Sequence, residues 1–163
     1  MKLSVMKVIR LGWDNDSIQV YFDAMANARS NMTDGYDDDD YDYAVHPDAS
    51  GKTCSVWRNR TADQQHALGI DAPKNLTTAD DIPTEFLRTG KGYRYRIFFP
   101  GKYLLPATMK KGSVLGFGLT ANNADDPALP YPKRRRNARS NATLPGKDCY
   151  NKPRLYPVLL LWE

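Results

Sequence analysis

Apolar residues recur at every second position in four stretches of this chain. Ile18, Val20 and Phe22 fall on one side of an extended segment, with Gln19, Tyr21 and Asp23 on the other. Tyr41, Tyr43 and Val45 repeat the pattern. So do Tyr93, Tyr95, Ile97 and Phe99, with Arg94 and Arg96 facing away. Leu115, Phe117, Leu119 and Ala121 make the fourth, and Gly116 and Gly118 on its opposite side leave room for a close neighbour. Period two is the mark of a half-buried β-strand. The segment "YPVLLLW" closes the chain as a buried or edge strand, and "MKLSVMKVIRLGW" opens it as another. No sustained helical stripe appears; "ADQQHAL" at 62–68 reads as a short helix. Gly, Pro, Asn and Asp clusters separate the strands, which is turn chemistry. Two long regions, 46–90 and 122–155, read as irregular, and loops of that length often carry function. The pattern predicts one all-β domain over residues 1–163: an antiparallel, jelly-roll-like β-sandwich with long irregular loops.

Composition narrows the function. With 41% hydrophobic and 26% charged residues the chain is ordinarily globular. Its net charge of +4 is divided between an acidic block, Asp37 to Asp40, and a basic one, Lys133 to Arg136. No single basic face results, and the basic run lacks the interleaved aromatics that single-stranded nucleic acid needs, so no nucleic-acid partner is expected. No run of about 20 apolar residues is present, and no membrane insertion is expected. Cys54 and Cys149 lack zinc spacing; they read either as one disulfide or as two unrelated thiols. The five sequons, at Asn15, Asn31, Asn59, Asn75 and Asn141, read as part of an Asn- and Thr-rich surface. Glu85 and Glu163 are the only glutamates, and neither a Gly-x-Ser-x-Gly elbow nor a phosphate loop nor a zincin motif occurs. The chain therefore reads as noncatalytic. A haem or electron-transfer module is a third class, but nothing in the spacing of Met25, Met32, Met109 and His46 singles out axial ligands.

Four segments taken in order, "WDNDSIQVYFD", "GYDDDDYDYAV", "GYRYRIFFPGKYL" and "GSVLGFGLTANNADD", resemble carbohydrate-binding module family nine. The likeness spans roughly residues 3–161, with gaps. It implies a noncatalytic sandwich that grips a poly- or oligosaccharide such as xylan, as a module of a larger polysaccharide-active or cell-surface protein in an extracellular or periplasmic setting. The family's first aromatic clamp residue matches Trp13, and the second falls on Tyr150. Its acidic sugar contact falls on Gln19, its arginine on Ala44 and its glutamine on Thr120; Asn122 opens the Asn-Asp segment. A pyranose packs its C–H face on an aromatic plane, while amides and carboxylates fix its hydroxyls. The resemblance further implies structural calcium, for which Asp38, Asp39 and Asp40 offer hard oxygen ligands. Family members carry an N-terminal segment whose strands complete the sandwich. Here the resemblance begins at the last of those strands, which predicts either covering by such a segment or self-association through an open edge. The departures at Gln19 and Ala44 support an alternative: a sandwich that has lost sugar binding and serves as a structural or interaction domain.

Overall fold

The computed structural model describes residues 17–28, 35–47, 52–60, 77–78, 81–89, 92–124, 139–144 and 152–161. Among these residues nine strands follow in chain order: β1 Ser17–Asp23, β2 Asp40–Pro47, β3 Cys54–Arg60, β4 Thr77–Thr78, β5 Thr84–Thr89, β6 Gly92–Ile97, β7 Val114–Ala124, β8 Arg139–Leu144 and β9 Val158–Leu160. The main sheet is antiparallel and runs β4-β3-β2-β1-β7-β8, with β9 beside the first residues of β7. β5 and β6 form a separate antiparallel hairpin. The protein is thus an all-β sandwich of two antiparallel sheets of unequal size.

The alternating residues set the layers. Cross-strand pairs Val20–Tyr43, Phe22–Tyr41, Val20–Leu119 and Phe22–Phe117 place the apolar positions of β1, β2 and β7 on one face. That face is the main core. Ile82, Tyr103, Leu104 and Ala107 close over it, and Tyr95, Ile97 and Phe99 pack against it from the hairpin side. Phe99 meets Phe22 edge-to-face at 5.0 Å, a favoured aromatic geometry. The Tyr41 and Tyr43 hydroxyls donate to the carbonyls of Leu105 and Tyr103, which ties the covering loop to β2.

The region 46–90 differs from its reading as irregular, because β3, β4 and β5 lie within it. β3 was masked by its own core position: Arg58 stands among apolar neighbours opposite Tyr43, so the period is broken by a charge. The region 122–155 likewise contains β8, whose sequence "RSNATL" has almost no apolar content. The expected helix at 62–68 and the expected opening strand lie outside the described residues, as do Cys149, His66 and the Lys133 to Arg136 run. Cys54 is a half-buried free thiol.

The second face of the main sheet is also covered. Tyr21 and Tyr156 are fully buried there and stack with ring centroids 5.7 Å apart. The close neighbour implied by Gly116 and Gly118 is Tyr156. A Cβ at Gly118 would lie 3.0 Å from two Tyr156 ring carbons and 3.1 Å from Tyr21, and one at Gly116 would lie 2.9 Å from the Asp23 Cβ. Both glycines therefore serve a close approach, not a turn.

Candidate functional site

Polar side chains fill the second face around this tyrosine stack. Pairing between β1 and β7 sets Gln19 opposite Thr120 and Ser17 opposite Asn122; pairing with β2 sets Gln19 opposite Ala44 and Tyr21 opposite Asp42. Directly paired residues share a face. Gln19, Thr120 and Asn122 thereby come together from strands about a hundred residues apart. The Asn122 amide donates to Gln19 Oε1 at 3.1 Å and to Ser17 Oγ at 3.0 Å. The Tyr21 hydroxyl donates to Thr120 Oγ1 at 3.2 Å. Asp42 is the hub: it accepts from the Tyr36 hydroxyl at 3.0 Å and the Asn59 amide at 3.0 Å, and from Gln19. Burial pushes the Asp42 carboxyl up to about 6, and the three donors hold it down against that penalty. Burial raises the Tyr36 phenol well above its ordinary value, with the Asp42 charge adding to it.

One expectation changes here. Gln19 reads from sequence as an outward strand residue. In the structure it is 7% exposed, Thr120 3% and Asn122 6%. The reason is the layer that Tyr36 and Tyr156 build over this face. The two aromatic residues of the expected clamp, Trp13 and Tyr150, lie outside the described residues.

Two participants were not singled out from sequence. Trp57 pairs with Ala44, which puts its indole in the same cross-strand row as Gln19. Asn59 reaches the same face through Asp42. The signal was present in "SVWRNR", where Ser55, Trp57 and Asn59 share one parity and Val56 and Arg58 the other.

The acidic block leads into β2, with Asp40 as the strand's first residue. Asp39 Oδ2 accepts from the Met25 N–H at 2.8 Å and Oδ1 from the Asn27 amide at 3.2 Å. Asp23 accepts the N–H groups of Asn27 and Ala28. Asp40 Oδ2 accepts the Asp37 N–H at 2.6 Å, while its Oδ1, fully buried, has no hydrogen-bond partner. Asp39 and Asp40 are buried and Asp38 is exposed. Among the described residues no group of three or more His, Cys, Asp or Glu side chains gathers as a metal set. Asp40 also stands directly across from Asp23, a like-charge pair. Burial, reinforced by neighbouring aspartates, pushes Asp39 up to about 7 and Asp40 up to about 8.

A pH dependence follows. Both carboxyls hold protons more tightly when folded than at their ordinary value near 3.8. Their contribution is fully present below about pH 4 and is lost as pH rises through about 7 and 8. Thermal melts in chelator should therefore show a higher midpoint at pH 5 than at pH 8.5. Asp40→Asn should flatten the upper part of that profile; an unchanged slope would show that Asp40 is not the titrating group.

No helix among the described residues is long and apolar enough to cross a membrane. Comparison of the chain with protein-family models, with curated proteins and with solved structures finds no match.

Proposed function

We propose that this protein is a noncatalytic carbohydrate-binding β-sandwich similar to family nine, which holds a poly- or oligosaccharide of the xylan class on the polar face of its main sheet. One observation carries the reading: Gln19, Thr120 and Asn122 meet on a single face together with Asp42 and Asn59. Amides and a carboxylate in one array both donate and accept, as a row of sugar hydroxyls requires. In sequence Trp13 stands four residues before β1, whose first residue, Ser17, pairs with Asn122. A clamp of this kind implies affinity on the order of tens of micromolar or weaker. An extracellular or periplasmic setting, within a larger polysaccharide-active or cell-surface protein, belongs to the same reading.

The test is a glycan array with the purified chain. Binding to β-linked xylo- or gluco-oligosaccharides is the expected result. Background signal across all glycans would leave the second reading, a structural sandwich without sugar binding. That second reading has its own support, since the polar side chains are almost fully buried and bond one another.

Calcium at the acidic block is a further part of the proposal, supported by the buried, unbonded Asp40 Oδ1. A cation there would offset the repulsion between Asp23, Asp39 and Asp40. Millimolar Ca²⁺ should raise the melting midpoint at pH 8 by mass action and do little at pH 5, where the carboxyls hold protons. Asp38→Ala with Asp40→Ala should remove the shift, and a wild-type midpoint indifferent to calcium at pH 8 would end the metal reading.

Self-association through a sheet edge is supported by β9, where Val158, Leu159 and Leu160 are 40–55% exposed without an intervening charge. Light scattering should show association that rises with concentration and falls in Leu159→Lys. A monomer throughout would contradict it.

A further inference from the structure

We infer that Trp57 and Asn59 of β3 form a hydroxyl-recognising pair within the proposed saccharide site, and this inference rests on the carbohydrate-binding reading. Two buried polar atoms on this part of the sheet have no hydrogen-bond partner: Trp57 Nε1 and Asn59 Oδ1. One is a donor only, the other an acceptor only. A buried polar atom left unpaired is costly, and native structures rarely keep one without a ligand, ion or water to satisfy it.

Their placement makes them complementary. Both belong to the face that carries Gln19: Trp57 through its pairing with Ala44, Asn59 through its amide bond to Asp42 Oδ1. Trp57 keeps regular pairing with Ala44, whereas Asn59 is the extra residue between the Tyr43–Arg58 and Asp42–Arg60 pairs, an irregularity of the kind that re-aims a side chain. A hydroxyl placed between them would accept from the indole N–H and donate to the Asn59 carbonyl oxygen. The Asn59 amide cannot turn to offer its nitrogen instead without giving up its bond to Asp42 at 3.0 Å. The pair therefore selects a group that is donor and acceptor at once, as an alcohol is and an ether or carbonyl is not. Trp57 as a whole is half-buried, and its indole N–H is the group offered to the hydroxyl. Ala44, paired with Trp57, puts no charged side chain at the neighbouring position.

Calorimetric titration with xylohexaose and cellohexaose tests this on the wild type, Trp57→Phe, Asn59→Leu and the double variant. Trp57→Phe keeps an aromatic plane and removes the N–H; Asn59→Leu keeps the shape and removes the acceptor together with the amide's bond to Asp42, so Trp57→Phe is the cleaner of the two. Each is expected to weaken binding roughly 5- to 10-fold. The double variant should lose little more than either single one, because both act on one hydroxyl. Full-affinity binding by the variants would overturn this inference while leaving the carbohydrate reading in place. Absence of binding by the wild type would overturn both. Should either variant fail to fold, the indole N–H resonance of Trp57 in the wild type decides: it must shift on titration with the oligosaccharide, and a stationary resonance assigns the pair to an ordered water only.

Discussion

Arg58→Ala is expected to destabilise the fold by about 2–4 kcal/mol, the lower part of the range for removing one partner of a buried ion pair plus the cavity it leaves. Arg58 is 3% exposed on the core side of β3, and its guanidinium donates to Asp81 at the start of the hairpin segment. The same group lies 4.8 Å from the centre of the Tyr103 ring and bonds the Tyr43 side chain. It thus joins three parts of the core: β2, the loop that covers it, and the approach to β5. The loss stays below the full penalty because Asp81 is 45% exposed, so water solvates the carboxylate once its partner is gone. Arg58→Met should cost less, since it keeps most of the volume and leaves a smaller cavity. Urea denaturation measures both, and equal losses would show that the guanidinium's contacts, and not its packing, carry the effect at this position.

Tyr156→Ala should cost about 3–5 kcal/mol, the range for truncating a fully buried aromatic. Tyr156 is 1% exposed, stacks on Tyr21 and covers the Gly116–Gly118 stretch of β7. The Pro153–Leu155 turn that precedes it sets its position, with the Tyr156 N–H bonded to the Pro153 carbonyl at 2.8 Å. Gly118→Ala tests the same contact from the opposite side. Its methyl would lie 3.0 Å from two Tyr156 ring carbons and 3.1 Å from the Tyr21 ring, both fully buried, and overpacking of this kind costs about 1–3 kcal/mol. A stabilising Gly118→Ala would mean that the stack is looser than its spacing implies.

The chain discloses its fold most clearly where apolar alternation is intact. β1, β2, β6 and β7 are legible because Ile18, Val20, Phe22, Tyr41, Tyr43, Val45, Tyr95, Ile97, Leu115, Phe117 and Leu119 all turn to one core. β3 is hidden by Arg58, a charge at a core position. β5 and β8 are hidden because "TEFLRT" and "RSNATL" offer mostly polar side chains, and their pairing depends on backbone bonds to neighbours. The convergence of Gln19, Thr120 and Asn122 is a property of register, which sequence spacing does not encode across a hundred residues. Their burial was less legible still. Polar residues on the second face read as solvent-facing, and only Gly116 and Gly118 signalled that something packs there. Once Tyr156 is placed over them, Gln19, Asp42 and Asn122 must find partners among themselves, and they do.

The most direct measurement of the central claim is a two-dimensional amide NMR titration of the ¹⁵N-labelled chain with xylohexaose. Sugar held on the polar face should shift the backbone amides of residues 17–21 and 118–122, together with the side-chain amides of Gln19, Asn59 and Asn122, while those of the β5–β6 hairpin stay in place. Saturable shifts confined to the hairpin, or no shifts at all at millimolar sugar, would contradict it.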